Sequence, residues 1–148
     1  MTPRFWKVSH GTEEFSHQER LTLLQRGIIC VHHGTHPKGR STNAQGDDFV
    51  NADIGDYFYL THGNEGVYVL GQLTGPADIF STKQGGWIER PYRTILASLL
   101  AGQYSGTKKW WTPNHNSTFT VVPDKELQQF ERLILYPYFG VKLSMYGI

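Results

Sequence analysis

The stretch Ile54-Gly55-Asp56-Tyr57-Phe58-Tyr59-Leu60-Thr61, followed by His62-Gly63-Asn64-Glu65-Gly66 and Val67-Tyr68-Val69-Leu70-Gly71-Gln72-Leu73, decides the fold. Two runs rich in aromatic and β-branched residues flank five turn formers, two of them glycine, which is the pattern of a β-hairpin. Tyr57, Tyr59 and Tyr68 alternate along its strands, so some face a core and others a rim; Tyr59 is the one expected at a pocket mouth.

On the N-terminal side, Gly27-Ile28-Ile29-Cys30-Val31 is an apolar run of strand length, the mark of a strand buried on both faces. Before it, Arg4 to Ser9 reads as a first strand ending in the polar turn His10-Gly11-Thr12. Between them lies a helix opened by Thr12 or Glu13, with Phe15, Leu21 and Leu24 near one face and Gly27 as its stop. The polar stretch His32 to Asp47 is a loop, and Phe49 to Ala52 a turn of helix. On the C-terminal side, Ala77 to Ser81 extends the sheet. Trp87 to Ile95 forms a strand whose Pro91 asks for an edge or a bulge, and Phe119 to Val122 a last one. After Pro123 a helix carries the stripe Leu127, Phe130, Leu133 and Ile134 and ends near Pro137. This order predicts an α+β fold, a small, strongly curved mixed sheet or barrel flanked by a few helices.

Composition agrees. The 148 residues, 39% hydrophobic and 14% aromatic, suit one domain spanning 1–148, possessing one core, and 16 Gly with 7 Pro favour short strands and turns. Fourteen Lys and Arg against 13 Asp and Glu leave a net charge of +1, so any attraction to a polyanion must come from a local patch. The single cysteine, Cys30, excludes an internal disulfide. There is no secretory signal and no apolar run long enough to span a bilayer, so a cytoplasmic, membrane-independent protein is expected.

Four segments in order, Phe5 to His10, Gly27 to Cys30, Ile54 to Leu73, and Gly86-Trp87-Ile88-Glu89-Arg90-Pro91-Tyr92, resemble the PUA-like superfamily. The resemblance is to its EVE and YTH branch and to the N-terminal modified-DNA-reading domains of McrB-like restriction proteins. It implies a domain that binds a modified base, flipped from DNA, between apolar and aromatic walls, and that works with a motor or nuclease module on the same chain or on a partner. By position it implies a pocket with Ser9 and His10 in the polar turn, Ile29 with Cys30 as one wall and Trp87 as the other. YTH domains that read methylated adenine carry tryptophan where this chain has Ile29, so the cage has one tryptophan and suits a cytosine derivative in DNA. A reader of modified RNA is the alternative.

The energetics of such a site are balanced. Extruding a base costs a few kcal/mol, stacking on tryptophan returns roughly 1–3 kcal/mol, and a small added group in an apolar niche supplies ~1–3 kcal/mol of discrimination. Lys108-Lys109 beside Trp110-Trp111 joins charge to stacking surface, and Lys38, Arg40, Lys83, Arg90 and Arg93 are candidates for the rest of a basic rim on the nucleic-acid backbone. His32, His33 and His36 near Cys30 raise a metal or hydrolase reading. Neighbouring His32 and His33 on an extended segment point to opposite faces, however, and Cys30 sits in an apolar run. No motif of a known catalytic class is present, so neither a metal, a cofactor nor catalysis is expected.

Overall fold

The computed structural model describes residues 3–11, 15–36, 44–79 and 86–148. Among the described residues six strands occur, β1 (Phe5–Ser9), β2 (Ile28–His32), β3 (Tyr57–Thr61), β4 (Val67–Leu73), β5 (Trp87–Ala97) and β6 (Phe119–Val121). They form one mixed sheet in the order β2-β5-β4-β3-β1-β6. Its centre is the expected hairpin, β3 antiparallel to β4, with β1 parallel to β3 on one side and β5 antiparallel to β4 on the other. Gly71 marks where β4 crowds its neighbours: a Cβ there would come within 2.6 Å of the Phe58 ring. The register of β4 against β5 slips at this point, between Leu70 and Gly71, and such irregularities bend a sheet.

The bend curls the sheet into a half-barrel, and a short helix, α2 (Gln45–Asn51), packs against both end strands, β2 and β6. Gln45 performs the closure. Its Oε1 accepts from the backbone N–H groups of Thr118 and Phe119 at 2.8 and 2.7 Å, and its Nε2 donates to the His36 carbonyl at 2.6 Å. Inside lies one core, with Trp6, Ile29, Phe49, Phe58, Ile88 and Phe119 among its members. Trp6 stacks on Phe119 at 4.3 Å and donates its indole N–H to the buried Asp56 carboxylate at 3.0 Å. A second core, on the opposite face of the sheet, joins Phe5, Tyr59 and Trp111 to the C-terminal helical segment. This α+β half-barrel is the expected fold class.

Local expectations are corrected at five places. Helix α2 (Gln45–Asn51) begins inside the stretch His32 to Asp47 expected as a loop, four residues ahead of the expected Phe49. The first helix, α1 (His17–Arg26), opens at Ser16 rather than Thr12 or Glu13. Ser16 and Glu19 form a complete capping box, and Gly27 closes the helix in the left-handed region at φ 64°. Within the helix Leu23 is the buried residue, whereas Leu21, expected on the covered face, is 39% exposed. Ala77 to Ser81 yields a single bridge, Asp78 to Glu89, within the described residues. Strand β5 lies inside the sheet, and Pro91 is tolerated because it stands where the strand passes from pairing with β2 to pairing with β4. The C-terminal helix runs through Pro137: α3 (Leu127–Phe130) passes via a π-helical stretch, Glu131–Leu135, into α4 (Tyr136–Phe139), which stops at Gly140. The wider turn ahead of Pro137 accommodates its ring and its missing N–H.

Candidate functional site

The curl brings the C-terminal ends of β1 and β2, the β3–β4 turn and the start of β5 to one end of the half-barrel, where they surround a cleft of about 620 Å³. That volume falls within the ~300–1,000 Å³ usual for small-molecule sites. One wall is aromatic. The half-buried Trp87 meets Phe15 edge-to-face at 4.9 Å and His32 at 5.3 Å, so its ring is braced from two sides. The facing wall is the polar segment 113–118, and Ser9, Gly63 and Asn64 line the cleft between the walls.

Each part of the polar wall is held from behind. Asn64 clamps the backbone of Tyr104 with both amide atoms at 3.0 Å, fixing the start of the long β5–β6 connection. Further along, Lys7 is fully buried on β1 and donates through Nζ to the His115 carbonyl at 2.7 Å and to Ser117 Oγ at 2.9 Å. Burial pulls its pKa down to about 7, and no carboxylate lies within ion-pair distance of it among the described residues. Ser117 Oγ in turn donates to the Trp110 carbonyl at 2.5 Å. Ser9 Oγ accepts from the Gly63 N–H at 3.1 Å, which leaves its own hydrogen for an acceptor in the cleft.

Of the six residues expected in the pocket, the structure brings Ser9 and Trp87 to the cleft. The other four are corrected. Ile29 is fully buried in the barrel core. Cys30 is fully buried beneath α1 with Phe15 and Leu23. Tyr59 points to the second core, where its hydroxyl donates to the Trp111 carbonyl and burial raises its pKa. His10 turns away from the cleft, accepts the Cys30 N–H at Nε2 (3.0 Å), and stacks near Phe15 and His62.

Among the basic residues, Arg90 is the clear correction. It is 1% exposed, and its guanidinium donates to the Gly75 carbonyl at 3.1 and 2.9 Å, to Phe49 at 2.9 Å and to Ala52 at 2.6 Å. It ties α2 to the sheet and cannot reach a phosphate. Arg93 is exposed and donates to Gln72 Oε1 at 2.8 Å, on the part of β5 that pairs with β4. Lys108 is exposed, and Lys109 lies 3.5 Å from Glu126, both on the segment leading into the polar wall. Lys38, Arg40 and Lys83 lie outside the described residues. His32 and His33 do not diverge as expected. Strand β2 ends at His32, the chain turns, and the two rings stack at 4.8 Å. Even so, no group of three His, Cys, Asp or Glu able to hold a metal occurs among the described residues.

Phe15, His32, Lys7 and the segment 113–118 complete the site, and the sequence reading did not assign them to it. The polar run Pro113-Asn114-His115-Asn116-Ser117-Thr118 between buried Trp111 and Phe119 was the signal for the last of these.

Beside the cleft, His10 and His62 form a buried pair. Burial, then the His62 and Arg20 charges, lower the His10 pKa to about 3; burial, then Arg20 and His17, lower that of His62 to about 4. Both are therefore neutral in the folded state at pH 5, whereas the unfolded chain takes up protons near pH 6.5. Stability from this pair is full above pH 6.5 and is lost as pH falls toward 4. His10→Gln keeps an acceptor for Cys30 N–H without titrating, so the fall in urea midpoint between pH 6.5 and 4 should flatten. An unchanged slope would show that His10 does not drive it.

No family model matches the chain, and no curated protein matches it in sequence. Several solved structures resemble it, among them the following two. The protein Atu2648 from Agrobacterium tumefaciens superposes with a TM-score of 0.53 at 13% identity, over 87% of this chain and 91% of that one. Rpa0253 from Rhodopseudomonas palustris superposes with a TM-score of 0.50 at 9% identity, over 88% and 92%. At such identities the likeness establishes the fold. Among the described residues, no helix is long and apolar enough to cross a membrane.

Proposed function

We propose that this protein reads a modified nucleobase, flipped from DNA into the cleft beside Trp87, and thereby targets a modification-dependent restriction system of the kind its PUA-like, EVE and YTH resemblance implies. It binds its target without turnover. The observation that carries the reading is the braced, half-buried indole of Trp87 facing a polar wall across a cleft of about 620 Å³. An aromatic platform suits the face of a base, and the Ser9 hydroxyl and the 113–118 segment offer hydrogen-bonding groups to its edge.

Binding to otherwise identical oligonucleotides, carrying or lacking N6-methyladenine, 5-methylcytosine, 5-hydroxymethylcytosine or its glucosylated form, tests the proposal. One modified strand should bind at least tenfold more tightly than its unmodified counterpart, and uniform affinities would overturn the reading. The same panel in RNA decides between the two nucleic acids, since an RNA reader gains from contacts to the 2′-hydroxyl.

Phosphate contacts are assigned to Lys108 and Lys109, at the start of the segment that forms the polar wall. Each neutralised phosphate adds about 0.9 to the slope of log K against log salt on duplex DNA. The double substitution Lys108→Ala, Lys109→Ala should therefore lower that slope by about 1 to 2. A slope equal to that of the unsubstituted protein would remove these lysines from the interface.

A further inference from the structure

The pair Trp110-Trp111 is split by the fold into an anchor and a platform. Trp111 is 1% exposed, lies edge-on to Phe130 at 5.5 Å and donates its indole N–H to Glu126 Oε1 at 3.1 Å. Trp110, the next residue, is 44% exposed, with its ring against His115 at 4.4 Å. Its backbone is nevertheless fixed, because its carbonyl accepts from Ser117 Oγ at 2.5 Å and from Thr120 Oγ1 at 2.9 Å. A large apolar ring held at the surface on an immobile backbone is prepared for a flat partner, since little entropy remains to be lost on contact.

His115 connects this platform to the cleft. It lines the polar wall and also a shallow hollow of about 360 Å³ shared with Lys108, Lys109, Trp110 and Glu126. Buried Lys7 holds the His115 carbonyl at 2.7 Å, so the shared residue is itself fixed. The one carboxylate of the hollow, Glu126, is engaged by the Trp111 indole and by Lys109 at 3.5 Å, which leaves the rim positive through Lys108. A polyanion carrying flat rings matches a positive rim around an exposed indole.

We propose that Trp110 is a second stacking subsite, continuous with the cleft through His115, which receives the nucleobase next to the flipped one while Lys108 meets the connecting phosphate. Its position beside a flipped base rests on the reading of the cleft given above. The stacking itself needs no modified base, and that separates the two tests.

An unmodified single-stranded thymidine octamer is the probe. Trp110→Ala should weaken its binding about tenfold, and Trp110→Phe should retain most of the affinity. The melting temperature of Trp110→Ala should hold, since the ring is exposed and the carbonyl that accepts two hydrogen bonds remains. With modified strands, Trp110→Ala should weaken modified and unmodified binding by the same factor and leave their ratio intact. Unchanged octamer affinity in Trp110→Ala would overturn the subsite even where Trp87 governs modification preference. A tenfold loss in Trp110→Ala with no preference for any modified strand would support stacking at Trp110 and overturn the cleft reading alone.

Discussion

Trp87→Ala is expected to weaken binding to a modified site by about tenfold to a hundredfold, to abolish the preference over unmodified DNA, and to leave salt-sensitive background binding in place. The magnitude is the roughly 1–3 kcal/mol that one base gains by stacking on an aromatic ring. Background binding persists because Lys108 and Lys109 lie on a different segment. The indole is half-buried rather than enclosed, braced by Phe15 at 4.9 Å and His32 at 5.3 Å. Its removal therefore costs less stability than the ~3–5 kcal/mol of a fully buried tryptophan. Affinity and melting temperature must be read together: retained preference in a folded variant, or loss of binding that only follows unfolding, would remove Trp87 from the site.

Arg90→Ala is expected to give the largest loss of stability, about 4 kcal/mol or more. Its guanidinium serves the buried carbonyls of Gly75, Phe49 and Ala52, and each acceptor left unsatisfied costs about 1–3 kcal/mol. The carbonyls of Phe49 and Ala52 sit at the end of α2 and just beyond it, so the seal of the half-barrel loosens with them. A fall of about 10 °C or more in melting temperature should follow. Arg90→Lys should recover only part, because a point charge cannot reach three carbonyls as the planar fork does. A variant that melts normally yet binds DNA weakly would instead return Arg90 to the phosphate interface.

Legibility in the sequence followed the range of the forces involved. The hairpin Tyr57 to Leu73 and the stop at Gly27 were readable because alternation and left-handed backbone are local properties. The true start of α1 was present as Ser16-x-x-Glu19, a capping box, but Thr12 and Glu13 offered a competing signal. Continuation of the last helix past Pro137 depends on a π-helical turn that no composition announces. Of the expected pocket residues, Ser9 and Trp87 line the cleft, whereas Ile29, Cys30, Tyr59 and His10 lie away from it. Alternation shows that neighbours face opposite ways, and here both faces of the strands are buried: every residue of β1 is covered, and β3 carries Phe58 into one core and Tyr59 into the other. Which buried face ends at the cleft is set by the curl and by the 113–118 segment, both products of long-range packing. Arg90 shows the same limit, since its partners lie 15 to 41 residues away and look like any other backbone in the sequence.

An NMR titration of the ¹⁵N-labelled protein with a short DNA strand containing one modified base, alongside its unmodified twin, tests the location and the selectivity of binding at once. The account predicts large shifts at the Trp87 indole N–H and at the amides of Gly63, Ser117 and Thr118 with the modified strand, and at those positions no comparable shifts with the twin. Equal shifts there with both strands, or modification-dependent shifts confined to another face such as that around Arg93, would contradict it.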